Sequence, residues 1–343
     1  MRCTPLLLHF AALALARHRL EPLGGVTLHA GGQYPGDFER YSDFLRPQGV
    51  APAIKMLYFG DWSALNGTGT SGVLPWFSQA AASLVVDGEP DGAFICVQLG
   101  LQLPLNGGEA RVADGSYDAA LAALRAGLLA LQRPVWLRVG YEFNGPWNNY
   151  SAPSYVAAFR RIAAALRADA VLNQTCALVW DGSCDTAVDP TPFWPGADVV
   201  DWQGVNIFSG ASAPSTEPQS CPWFWATDSR AAGFPLLIGE STPRGLNTSD
   251  PAGRALEKWF APFLAMVSAF RPALLSYIDM NWFAEDSRWV GWGDSRLEVP
   301  AAAPIAAMWV RELQRGVYAN RANRSVMLHL LGLPDNVFEL SKK

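Results

Sequence analysis

Eight apolar runs constrain this chain more than any other feature. They are 25–29, 53–59, 93–99, 135–139, 176–180, 200–208, 235–239 and 274–280, with starts 24 to 42 residues apart. Helical patterns fall between most of them: 37–45, 76–86, 117–131, 155–168, 222–232, 252–270 and 302–314. Strands that alternate with helices give a parallel sheet, because a parallel connection needs a crossover and a helix supplies it. Eight such units predict an α/β fold, a (β/α)8 TIM barrel spanning 25–315. No linker divides that span. Residues 316–343 form a tail in which 326–333 is apolar enough to pack.

In such a barrel, chemistry gathers at the C-terminal strand ends and the loops that follow. That rule selects Asp61 and Trp62, Glu142, Asn144 and Trp147, Trp180 and Asp181, Asn206 and Phe208, Glu240, and Asn281 and Trp282, with His29 after the first strand. Of the 14 Trp residues, only those in these loops are candidates; an indole fills a core as readily as it floors a sugar site. Asp181 reads first as a loop cap, and His29 as a hydrogen bonder at the barrel mouth.

The stretch from Pro134 to Asn149, PVWLRVGYEFNGPWNN, is the most informative. Strand alternation puts Arg138 and Glu142 on one face. A charged pair on an apolar strand is costly unless it is paired or used. The same period puts Leu236, Ile238 and Glu240 on one face of the seventh strand. Glu142 and Glu240 are the two Glu residues at strand ends, and strands four and seven face each other across the mouth. Two carboxyl groups over one ligand are what glycoside hydrolysis requires. A barrel that holds glycan without cleaving it fits the same residues.

Other classes are disfavoured. The net charge is -5 with no basic block, which argues against nucleic acid. Only four His residues occur, at 9, 18, 29 and 329, so an imidazole metal cluster is not expected. No G-x-S-x-G and no phosphate-cradling G-x-x-x-x-G-K-[ST] is present. We therefore expect no metal, no cofactor and no membrane span. A poly- or oligosaccharide is the expected partner, acted on by a monomer.

Residues 1–16 carry Arg2, an apolar run and Ala14-Leu15-Ala16, the pattern of a secretory leader. Five sequons, at Asn66, Asn149, Asn173, Asn247 and Asn323, fit an exported glycoprotein. Cys96 and Cys176 sit in strands as small buried hydrophobes, while Cys184 and Cys221 occupy loops on one barrel face and could pair.

Arg138-Val-Gly-Tyr-Glu-Phe-Asn-Gly145 resembles the fourth-strand motif of glycoside hydrolase family 26, in clan A, with Arg four residues before the acid/base Glu and Asn-Gly after it. Phe193 to Val205, FWPGADVVDWQGV, resembles that family's approach to strand six, and 235–240 its nucleophile strand. The resemblance implies a retaining endo-β-glycanase acting on mannan or β-1,3-xylan. It implies Glu142 as acid/base and Glu240 as nucleophile, with Trp282 flooring the subsite at the cleaved bond. Arg138, Asn144, Trp147, Trp180, Asn206, Trp62 and His29 complete the expected substrate-binding set. Two departures bear on substrate: Tyr141 stands where mannanases of the family have His, and Phe208 where they carry a Tyr.

Overall fold

The computed structural model describes residues 17–342 except Pro35, 63–74, 86–92 and Asp286. The leader pattern, Cys3 and the Asn66 sequon lie outside the described residues. The eight expected strands form one closed parallel barrel: β1 Thr27–Gly31, β2 Ile54–Phe59, β3 Cys96–Leu101, β4 Val135–Val139, β5 Cys176–Ser183, β6 Trp202–Ile207, β7 Leu236–Ser241 and β8 Leu274–Tyr277. Each pairs with the next in sequence, and β1 closes the ring against β8 through Leu28 opposite Leu274. The chain therefore has the (β/α)8 TIM-barrel fold.

Inward-facing side chains fill the lower barrel. Leu28, Ile54, Cys96, Trp136, Ala177, Trp202, Leu237 and Leu274 form one cluster, with Trp136 and Trp202 meeting edge to face at 6.0 Å. The opposite faces of the strands pack on helices. In the helix Asp118–Leu131, Ala120, Leu121, Leu124, Leu128 and Leu131 are buried, a stripe at the three- and four-residue spacing of a helix with one face on a core.

The tail shapes the bottom of the barrel. Its two-residue strand β9, Tyr318–Ala319, pairs with the first half of β1, while β2 pairs only with the second half. Met327, Leu328, Leu331 and Val337 then pack beneath Trp136 and Trp202. The tail also explains why β3 starts three residues later than the apolar run at 93–99. Phe94 N–H donates to the Ala322 carbonyl and Ala93 bridges Asn323, so the tail takes those backbone bonds.

Near the cleft, Cys184 and Cys221 are bonded, which ties the end of β5 to the helix Cys221–Ala232. Cys96 and Cys176 are free and buried. The loop at 291–296 is held by Arg296 donating to Asp294 at 2.7 Å.

Candidate active site

A cavity of about 1040 Å³ opens at the C-terminal end of the barrel, and Glu142 and Glu240 both line it. Neither reaches it by plain strand alternation. Strand β4 stops at Val139, and both Gly140 (φ 57°) and Glu142 (φ 53°) take the left-handed conformation. A side chain on Gly140 would press on Tyr155 at 2.8 Å. Glu142 has no such excuse: a residue with a Cβ costs about 1–2 kcal/mol in that region, and it is held there by its N–H donating to the Asp181 carbonyl at 2.8 Å. This turn, rather than the pleat, aims Glu142 into the cleft.

Glu240 arrives by a second irregularity. Leu236 and Ile238 pack toward the helices and Leu237 toward the barrel interior, so strict alternation would point residue 240 outward. The β6–β7 register slips, however, from Val205 opposite Ile238 to Asn206 opposite Glu240, leaving Gly239 as an extra residue. Such a bulge puts consecutive residues on one side. Gly239 can occupy it because a Cβ there would meet Asn206, Asp181 and Arg138 atoms at 2.8 to 2.9 Å.

Arg138 links these parts and is fully buried. Its guanidinium donates to Asp181 from Nε at 2.8 Å, to Glu240 at 2.8 Å and to Asn206 Oδ1 at 3.1 Å. Arg138 and Glu142, set on one face by strand alternation, do not pair with each other: the guanidinium pairs with Asp181 and Glu240, and the turn at Gly140 carries Glu142 past it. Asn206 completes the connection: its Nδ2 donates to Glu142 Oε1 at 2.8 Å. Asp181 is therefore a charge partner of Arg138 and not a loop cap.

Burial opposes the charge on Arg138, but the Asp181 and Glu240 carboxylates outweigh it and hold its pKa well above the usual range. Burial pushes Asp181 up to about 6, against the pull of Arg138, and its Oδ1 has no hydrogen-bond donor. It is still anionic at neutral pH. Burial, and next the negative Glu240, push Glu142 up to about 8, while the Asn206 bond and Arg138 pull the other way. One carboxyl group therefore keeps its proton at neutral pH while the other is paired with a guanidinium. Opposed protonation states of this kind separate an acid from a nucleophile.

Aromatic residues wall the cleft. Trp282 is buried, donates from Nε1 to Thr242 Oγ1 at 3.3 Å, and meets Trp292 at 4.6 Å and Trp289 at 5.8 Å. Phe208 packs on Trp292 at 5.2 Å. Arg244 lies 4.9 Å over the Trp292 ring and is paired with Asp185, which also accepts from Ser212 Oγ at 2.8 Å. On the far rim, Trp147 is 48 % exposed. Tyr58, Gln102, Trp289, Trp292 and Arg244 also line the cleft. The strand-end rule missed Gln102 because β3 runs two residues past the apolar run at 93–99, and the others because they lie inside a strand or deep in a loop.

Four of the sequence-selected residues point elsewhere. Trp180 is buried, stacks on Phe143 at 4.9 Å and donates to the Phe193 carbonyl. Trp62 is buried and donates to the Gln102 carbonyl at 2.6 Å. The Asn144 side chain spans the Ser183 N–H and carbonyl at 2.8 and 3.0 Å, fastening β4 to β5. His29 is fully buried between Tyr41 and Asn320, and burial lowers its pKa to about 4, so it is neutral. In each case the polar atoms are already used inside the fold. Among the described residues, no cluster of His, Cys, Asp and Glu could hold a metal ion, and no helix is long and apolar enough to cross a membrane.

The chain is 27 % identical over 354 aligned residues to a β-1,3-xylanase of an Alcaligenes species, covering 91 % of this chain and 69 % of that protein. It is also 27 % identical to a β-1,3-xylanase of a Vibrio species, over 82 % of this chain and 63 % of that one. Among solved structures, a family-26 β-mannanase from Bacteroides ovatus shares the fold at a TM-score of 0.60, with 13 % identity, over 87 % of this chain and 91 % of the other. A family-26 β-1,4-mannanase from Cellulomonas fimi does so at 0.59, with 17 % identity, over 88 % and 72 %. No family model matches.

Barrel, relatives and paired carboxyl groups together define a glycoside hydrolase. Within that class the chain is similar to β-1,3-xylanases in sequence and shares its fold with family-26 β-mannanases.

Proposed function

We propose that this chain is a secreted, retaining endo-β-glycanase, with β-1,3-xylan as its substrate. The observation that carries the mechanism is the linkage of Glu142 and Glu240 across one cleft by Asn206 and Arg138. Glu142, protonated at neutral pH, donates its proton to the bridging oxygen. Glu240, aligned by Arg138, attacks the anomeric carbon and forms the glycosyl-enzyme. Glu142, now a carboxylate, takes a proton from the water that releases the sugar. Trp282 floors the site at the cleaved bond, and the exposed Trp147 offers a stacking face at the rim.

The β-1,3-xylan assignment follows the two xylanase relatives and the two departures in the cleft. The Tyr141 ring covers the Arg138 guanidinium at 5.2 Å, and Phe208 presents an apolar face packed on Trp292. Export is supported by the leader pattern of residues 1–16 and by the Cys184–Cys221 bond, which belongs in an oxidising compartment.

The test is turnover of β-1,3-xylan, mannan and mixed-linkage glucan by the wild-type protein, Glu142→Gln and Glu240→Gln, with product stereochemistry followed by NMR. We expect β-1,3-xylan to be cleaved with retention and both variants to be silent. Inverted product, equal activity in the variants, or glycan binding without release of reducing ends would each sink the reading.

A further inference from the structure

Five of the chain's twelve asparagines stand in Asn-x-Ser/Thr sequons. The four described sequon residues, Asn149, Asn173, Asn247 and Asn323, are all exposed. None uses its Nδ2, the atom that carries an N-linked glycan. Asn173, Asn247 and Asn323 engage only Oδ1, as acceptors from Arg19, the Asp294 N–H and the Val326 N–H, and Asn149 makes no side-chain bond. Outside the sequons, Asn144, Asn148, Asn206 and Asn320 spend Nδ2 on internal bonds, whereas Asn281 engages only Oδ1. A glycan on any of the four therefore costs the fold no hydrogen bond.

Asn149 differs from the others in place. It sits on the β4 loop in a left-handed turn (φ 52°) with Ser151, the sequon hydroxyl, also exposed. Its neighbour Asn148 lines the cleft and donates to the Tyr141 and Glu142 carbonyls at 2.9 and 3.0 Å, and Trp147 is the exposed rim aromatic. Asn173 and Asn323, by contrast, lie at the closed end, before β5 and beside the start of β3.

We infer that the chain is an N-glycoprotein whose Asn149 glycan stands at the cleft rim and limits how a long polysaccharide approaches Trp147. The step joins Asn149 Nδ2 to C1 of the first sugar of a lipid-pyrophosphate-linked oligosaccharide. The C1–O bond to pyrophosphate breaks, the lipid pyrophosphate leaves, and the amide proton is lost to base. The inference rests on the export reading above.

The experiment secretes the full chain from a yeast or insect host, once with its own first 16 residues and once behind a host leader. Each product is digested with peptide N-glycosidase in heavy-oxygen water and mapped by mass spectrometry. We expect Asn149 to be converted to labelled Asp. We expect Asn149→Gln and Ser151→Ala each to lose the mass of one glycan, and both to gain in kcat/KM on polymer relative to short oligosaccharide. Ser151 makes no side-chain cap, so its variant keeps the helix start. An unmodified Asn149 in folded, secreted protein overturns the site. A modified Asn149 whose removal leaves the polymer-to-oligosaccharide ratio unchanged overturns the gating role. Modification behind the host leader alone supports the site and counts only against the export reading.

Discussion

Arg138→Lys separates charge from geometry at the centre of the site. Arg138 reaches acceptors on three strands: Asp181 on β5, Asn206 on β6 and Glu240 on β7. A lysine ammonium keeps the charge but is a single point on a shorter reach, and it can serve about two of those acceptors. Each charge-assisted bond forfeited is worth roughly 1.5–3 kcal/mol, and partial repair by a trapped water leaves a net loss of about 3 kcal/mol. If that loss falls on alignment of Glu240 in the transition state, kcat drops by roughly 10²-fold. Arg138 is fully buried and touches no cleft surface, so KM should change little. The assay is steady-state hydrolysis of β-1,3-xylo-oligosaccharides, with thermal unfolding as the control for folding. A folded variant with kcat within about threefold of wild type, or one impaired in KM alone, would refute the role given to the guanidinium fork.

Three further outcomes follow from the same geometry. Glu142, raised to about 8, and Asp279, raised by burial and by negative Glu298, both bind a proton in the folded protein that the unfolded chain gives up. Their stabilising effect is complete below the unfolded carboxyl pKa and fades as pH rises. Tm should therefore fall between about pH 5 and pH 8, with a shallower slope in Glu142→Gln and activity lost as pH passes about 8. A Tm that climbs across that range contradicts the assignment. Trp147→Ala removes a half-exposed ring that holds no part of the core, so KM should rise about 2- to 10-fold with Tm unchanged; the reverse pattern would make Trp147 structural. Replacing Cys184 and Cys221 by Ser frees the loop that positions Asp185 under Arg244, and should cost about 2–4 kcal/mol in chemical denaturation as well as weakening substrate binding; unaltered stability would show the loop is held without the bond.

What the sequence determined by itself is the scaffold and its active end. Eight apolar runs separated by helical patterns admit little but a parallel barrel, because periodicity and crossover length are local properties. The carboxyl pair followed from the strand-end rule, and Arg138 from the two-residue period of the fourth strand. Tertiary structure decided which way the key side chains turn and whom they meet. A one-residue bulge at Gly239 and left-handed backbone at Gly140 and Glu142 override the two-residue period, and neither is visible in a pattern of apolar residues. Asp181 became a partner of Arg138, and Asn206 the link between the carboxyl groups, only when β4 to β7 were set side by side. Trp62, Trp180, Asn144 and His29 satisfy the same sequence rule as the cleft residues, yet they are spent on internal hydrogen bonds. Those bonds form between segments 12 to 291 residues apart, and so are fixed by the closed barrel and not by any local stretch of chain.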